Sequence, residues 1–218
     1  MGFNYFVLKT QQDGRQHNQE RLYMSLVPIF SFFSFYIVGG QDSSDSYLSS
    51  VECYDPPTNT WAPKAPLSGG RYGHAVVGMG EELFAIGGWD GSNNRLKTCE
   101  RYSLQDNRWV GMGSLNVARY DLAAAAMEGF IYAVGGYNGG SRKEVERYTP
   151  STDKWERVAD LGTGRYGLGA AVVNNRLYAV GGYGGNNKVV EVFNPETNTW
   201  ASEVEMSTAR GYLAVVAV

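Results

Sequence analysis

Four arginines recur at one spacing, and a tyrosine follows each: Arg71-Tyr72, Arg119-Tyr120, Arg165-Tyr166, and Arg210 with Tyr212 two residues on. A guanidinium forks a carboxylate or phosphate through parallel N–H groups, and tyrosine adds rigid amphipathic area. A ring of such pairs predicts a receptor for an acidic peptide. The same residues also fit a second reading. Residues that recur identically often serve packing that recurs, so the arginines can instead brace one repeat against the next through carboxylates or carbonyls.

A second group is more variable. Trp89, Asp90, Asn93, Asn94, Tyr137, Asn138, Tyr183 and Asn186 sit in segments of changing length, and aromatics mixed with asparagine and glycine make adaptable binding surfaces. Turn chemistry explains part of the group, since Asp90-Gly91 and Asn138-Gly139 are strong turn dipeptides. Trp89, Tyr137 and Tyr183 also stand in register, which fits packing between repeats.

Other chemistry is sparse. Two histidines, His17 and His74, give no histidine-rich metal site, and neither a catalytic group nor a cofactor is expected. Cys53 and Cys99 imply no disulfide framework and read as small hydrophobes, which favours a reducing compartment and a cytoplasmic location. A net charge of −3 gives no pull toward nucleic acid or an anionic membrane. One stretch bears on membranes: Leu22–Val38 runs without a charge behind Lys9, Arg15 and Arg21. It contains Pro28 and is short for a span. Three readings fit it: a degraded first repeat, an anchor or signal segment, or sequence that is not native coding sequence. A membrane role is the less favoured.

The elements that position these groups show in a second recurrence. A hydrophobic strand ending in two glycines appears as FYIVGG (Phe35–Gly40), LFAIGG (Leu83–Gly88), IYAVGG (Ile131–Gly136) and LYAVGG (Leu177–Gly182). The second glycines fall at 40, 88, 136 and 182, a period that marks a repeat architecture. From arginine to the first glycine is 16 residues in each full copy, as in Arg119 to Gly135. An aromatic stands 7 residues before a tryptophan (Tyr54 to Trp61, Tyr102 to Trp109, Tyr148 to Trp155, Phe193 to Trp200), and the next arginine stands 10 after it. Only the loop after Gly-Gly varies in length.

Each copy holds four short apolar runs separated by turn signals, in the third copy Tyr120–Met127, Phe130–Val134, Val145–Tyr148 and Lys154–Val158. Tight turns impose antiparallel neighbours, so each copy is a four-stranded meander. The first run is rich in small residues, Ala123–Ala126 in one copy, as crowding at the centre of a radial array requires. Such sheets repeated at this period are propeller blades. Strand parity puts the loop after Gly-Gly and the Arg-Tyr strand starts on one face of the disc, and binding usually resides on such loops. The tryptophans are expected to wedge between blades. Glu52, Glu100, Glu146 and Glu191 are expected to satisfy buried donors within each blade. The glycine pairs make no phosphate loop, lacking a following lysine and helix.

Gly-Gly, a Glu-x-aromatic strand (Glu52–Tyr54, Glu100–Tyr102, Glu146–Tyr148, Glu191–Phe193) and a tryptophan seven residues on together resemble the kelch repeat. The resemblance covers residues 35–218, with copies at 35–70, 71–118, 119–164 and 165–209 and a closing strand at 210–218; residues 1–34 do not match. VECYDPPTNTW and VEVFNPETNTW are most similar to the kelch-like adaptor proteins. That family implies an all-β, usually six-bladed propeller that recruits substrates to a cullin ubiquitin ligase, or in some members binds actin. It is a binding module and not an enzyme. The family's BTB region is not in this sequence. Four copies read as part of a six-bladed ring, or as four sheets closed by Gly211–Val218; an open ring would favour oligomers. Propellers of this shape can also hold a copper radical or hydrolytic metal site, but His74 near Tyr72 is the one histidine in the repeats.

Overall fold

In a computed structural model the chain is described over residues 34–92 and 94–217. The expectations for the stretch before Ser34, and for Asn93, lie outside the described residues. Within them the chain is all β, with no helix.

Four antiparallel sheets follow one another in chain order. The first has three strands, β1 (Phe35–Gln41), β2 (Tyr47–Asp55) and β3 (Thr60–Lys64). The second holds β4 (Ala75–Met79), β5 (Glu82–Ile86), β6 (Cys99–Ser103) and β7 (Arg108–Met112). The third holds β8 (Ala123–Met127), β9 (Phe130–Val134), β10 (Val145–Thr149) and β11 (Lys154–Arg157). The fourth holds β12 (Gly169–Val173), β13 (Arg176–Val180), β14 (Val190–Asn194) and β15 (Thr199–Ser202). Each sheet is a blade whose first strand, where present, lies innermost. The innermost strand β8 touches both β4 and β12, and its run of four alanines permits that approach.

Alternation of side chains builds the core between blades, as a period of two requires. On β8 and β9, Ala124, Ala126, Ile131 and Ala133 face the second blade. Ala123, Ala125, Tyr132 and Val134 face the fourth. A further core joins the first and second blades through Val38, Val51, Leu83 and Ala85. The tryptophans close these seams: Trp109 and Trp155 are buried, and Trp109, Trp155 and Trp200 donate their indole N–H to Ala65, Gly113 and Ala159 of the preceding blade. Trp61 has no preceding blade among the described residues and is 48% exposed.

Two strand expectations change. The third copy's first strand starts at Ala123 and not at Tyr120, because Asp121 takes φ 52°, outside the strand region. There its backbone N–H donates to Gly73 O at 2.7 Å and its carbonyl accepts from Gly167 N at 2.8 Å. Tyr212 N donates to Gly167 O in turn, so a backbone collar links the blades around the axis. The second change concerns closure. The final residues do not complete the first sheet, where among the described residues β1 pairs with β2. They lie against the fourth blade instead, anchored by Gly182 N to Arg210 O at 2.8 Å and with Leu213 and Val215 beside Gly169 and Ala170. Among the described residues no sheet closes the ring, and these blades form a partial propeller.

Candidate functional site

Three of the four arginines are not on the surface. Arg71, Arg119 and Arg165 are at most 2% exposed, which overturns the expectation that they face a partner. Their backbones belong to one blade and their side chains to the next. Arg119 N donates to Leu96 O of the second blade, while its guanidinium donates to Gly135 O (3.0 Å), Glu144 O and the Glu146 carboxylate of the third. Arg71 reaches Gly87 O, Thr98 O and Glu100 in the same way, and Arg165 reaches Gly181 O, Val189 O and Glu191.

The glutamates complete the joint. Glu100 accepts from Ser68 N, Glu146 from Asn116 N, and Glu191 from Gly162 N, so each carboxylate ties its own blade to the one before. Burial pulls the three guanidinium pKa values down, and the paired glutamate in each joint opposes that pull. These arginines are therefore packing devices. Arg210 is exposed, and Glu52 is exposed as well, so neither belongs to such a joint.

The tyrosines, by contrast, come together on the expected face. Tyr72, Tyr120 and Tyr166 form backbone bridges to Trp89, Tyr137 and Tyr183, which follow Gly-Gly in the same blades. Across each seam the rings meet again: Trp89 with Tyr120 at 5.5 Å, Tyr137 with Tyr166 at 5.1 Å, and Tyr183 with Tyr212 at 5.5 Å. Tyr47, which the sequence reading did not single out, extends the series through Tyr72 and Trp89. Eight rings make one arc, all half-buried. Burial raises the hydroxyl pKa of Tyr120 and Tyr166, and the Asp121 carboxylate adds to it, so both phenols stay neutral donors. Tyr212 donates its hydroxyl to Asp121 at 3.0 Å, which fixes that ring over the collar.

The loop residues divide. Asp90 folds its own turn, accepting from Ser92 N at 2.9 Å and from the Asn94 amide at 3.0 Å; the Asn94 side-chain amide and those turn N–H groups hold its pKa low. Asn138 N donates to Gly140 O, again within its turn. Asn186 is exposed and donates to Glu205 at 2.7 Å. Around them lie exposed cations that sequence reading missed: Arg95, Lys97 and Lys143. For the lysines the signal was available, because Lys97, Lys143 and Lys188 occupy one repeat position, each carbonyl accepting from a residue in the segment after the outer strand, Leu115, Leu161 or Met206.

His74 is buried, and the axial cavity is lined by Ala75, Leu122, Ala124 and Leu213. Among the described residues no three His, Cys, Asp or Glu side chains are grouped to hold a metal. Cys99 is buried, which pushes its thiol up to about 11 and keeps it protonated.

Comparisons with known proteins agree with this architecture. A solved structure titled "Structure of YjhT" superposes with a TM-score of 0.68 over 84% of this chain and 70% of that one, at 16% identity, which is a likeness of fold. No curated protein matches the sequence. A family model for the Kelch motif matches residues 164–207. A second, described as the KLHDC2/KLHL20/DRC7 Kelch-repeats domain, matches residues 28–182. With most of the chain under that match and the blades as described, the chain belongs to the kelch-repeat family of β-propellers.

Proposed function

We infer that this chain is a protein-interaction module, as its kelch repeats imply. We propose, more finely, that it is the substrate-recognition part of a cullin-type ubiquitin-ligase adaptor in the cytoplasm, and that it holds an extended segment of its substrate along the aromatic arc. The observation that supports this reading is the arc itself: eight half-buried rings from Tyr47 to Tyr212 on the face that carries every loop of variable length. Tyrosine and tryptophan supply contact area at low entropic cost and dominate binding hot spots. Acidic side chains of the segment would meet Arg95, Lys97, Lys143 and Arg210, which takes over the role first expected of the buried arginines.

The test is a double variant, Tyr137→Ala with Tyr166→Ala, used beside wild type to capture partners from cell lysate with mass-spectrometric readout. Neither ring lies within a sheet, so thermal unfolding should remain cooperative. Ubiquitin-ligase substrates should disappear from the variant's capture. Retention of the same partners by the double variant would refute the reading. Cosedimentation of the wild-type chain with actin filaments would move the assignment to a cytoskeletal partner.

A further inference from the structure

Two of the loops after Gly-Gly turn on a carboxylate at one repeat position. The second residue past the glycines is Asp42 in the first blade, Asp90 in the second and Asn138 in the third. Asp42 accepts from Ser44 N at 2.9 Å and Ser46 N at 2.8 Å, and Asp90 accepts from Ser92 N at 2.9 Å and Asn94 N at 3.3 Å. Those N–H groups satisfy each side chain and hold its turn. Asn138 stands at the same position with an amide in place of the acid, and its side chain forms no hydrogen bond among the described residues.

Glycine follows that position in the second and third blades, and the two glycines have opposite surroundings. A methyl group on Gly91 would run into the ring of Tyr47, whereas one on Gly139 would meet nothing within 4 Å. Gly139 is exposed, takes φ 72°, and its N–H donates no backbone hydrogen bond among the described residues. An unshielded backbone nitrogen thus stands one residue past a loose side-chain amide. In the whole sequence Asn138-Gly139 is the one Asn-Gly pair. Exposed asparagines such as Asn94, Asn174 and Asn186 instead precede Arg95, Asn175 and Asn187, which carry side chains beside the nitrogen.

We propose that Asn138-Gly139 is a self-modifying site, where the folded chain converts asparagine into aspartate and isoaspartate with water as the one co-reactant. Solvent base takes the Gly139 N–H proton, the nitrogen attacks the Asn138 side-chain carbonyl carbon, and ammonia leaves as the succinimide ring closes. Water then opens the ring. Cleavage of the new bond gives aspartate; cleavage of the old peptide bond routes the backbone through the side chain and gives isoaspartate. Each event adds one negative charge and changes no oxidation state. The aspartate product is provided for, because Gly140 N occupies the sequence position of Ser44 N and Ser92 N, which meet the carboxylates of the other two turns. Isoaspartate lengthens the backbone by a methylene where Tyr137 bridges to Ser141 and to Tyr120, and so loosens the Tyr137 ring from the arc. Either product sets its charge beside Tyr137, in the loop of Lys143, and opposes capture of an acidic segment; this consequence rests on the binding reading above. Asp90 is sheltered by contrast. Its turn holds the carboxylate ionised and therefore a poor electrophile, and Tyr47 crowds its glycine.

Mass-spectrometric peptide mapping of the full-length protein, incubated folded at mildly alkaline pH, reads the modification itself and is indifferent to what the arc binds. Isoaspartate is counted separately, with isoaspartyl methyltransferase and a labelled methyl donor. Asn138 should be lost at least about tenfold faster than Asn94, Asn174 or Asn186, as an unshielded glycine nitrogen permits. Gly139→Ala, checked for folding by circular dichroism, should slow the loss by at least about tenfold. An Asn138 that survives in the folded protein but is lost once urea unfolds it would reveal a protecting fold and overturn the proposal. So would loss no faster than at the three other asparagines, a folded Gly139→Ala chain that reacts as quickly as wild type, or isoaspartate at Asp90 as fast as at Asn138.

Discussion

An arginine and a glutamate buried together do not make the molecule stable merely by attracting each other, because removing both from water costs several kcal/mol per ion. What holds Arg119 in place is completeness: two carbonyls and a carboxylate surround the guanidinium, and Glu146 is itself satisfied by Asn116 and Val117. Removing one partner leaves the other charged and unpaired. Arg119→Ala is therefore expected to cost about 3–5 kcal/mol, read as a lower urea midpoint. Arg210→Ala, at an exposed site outside any joint, should stay within about 0.5 kcal/mol. Equal effects of the two substitutions would contradict the division between buried and exposed arginines. Sequence spacing announced all four alike, since a repeat position shows that a residue recurs and not which way it points. The partner was legible all the same: Glu100, Glu146 and Glu191 recur as faithfully as the arginines, and Glu52 recurs with no arginine at the 16-residue spacing before Gly39.

At the scale of elements, period and turn chemistry carried the reading well. β9 falls on Phe130–Val134 as its alternation requires, and the Glu128-Gly129 turn takes φ 53° and 77°, the primed geometry that suits a twisted hairpin. The start of β8 was misjudged because Asp121 hides a positive φ that its repeat counterparts announce openly, Gly73 and Gly167 both standing at φ 59°. The working face was legible from strand parity, whereas its arc of rings was not, because contacts such as Tyr137 with Tyr166 join residues of different blades. The glycine pair has a similar cross-blade purpose. Gly135 has φ 61°, and a methyl group there would stand 2.5 Å from Arg165 O. Gly135→Ala must strain the backbone and push the next blade's arginine strand outward together. A loss of about 1–3 kcal/mol is expected, measured by denaturant unfolding. Gly139→Ala, at φ 72° but with open space around it, should lose only the backbone part. If the two alanines cost the same, contact across the seam is not what the glycine protects.

Across the whole molecule, stability is shared along a line, because each described interblade core joins two consecutive blades. The three interblade cores fall unevenly on the four blades. The second and third blades bury both faces, one against each neighbour. The first has one buried face and one open groove, and the fourth is covered on its outer side only by its tail. Loss of an end blade breaks one core, whereas loss of a middle blade breaks two. Opening should therefore begin at the ends. In native-state hydrogen exchange the amides of β5, β6, β9 and β10 should be the slowest, at the global unfolding limit. Those of β1–β3 and of β14 and β15 should exchange at least about tenfold faster, through openings smaller than global unfolding. Denaturant added below the unfolding midpoint should speed the end amides less than the central ones, since partial opening exposes less surface. Uniform protection over all four blades would mean that the arc unfolds as one unit, and the linear account would fail. Faster exchange confined to the first blade would have a sharper meaning: the blade that carries the exposed Glu52 and Trp61 is the weak end.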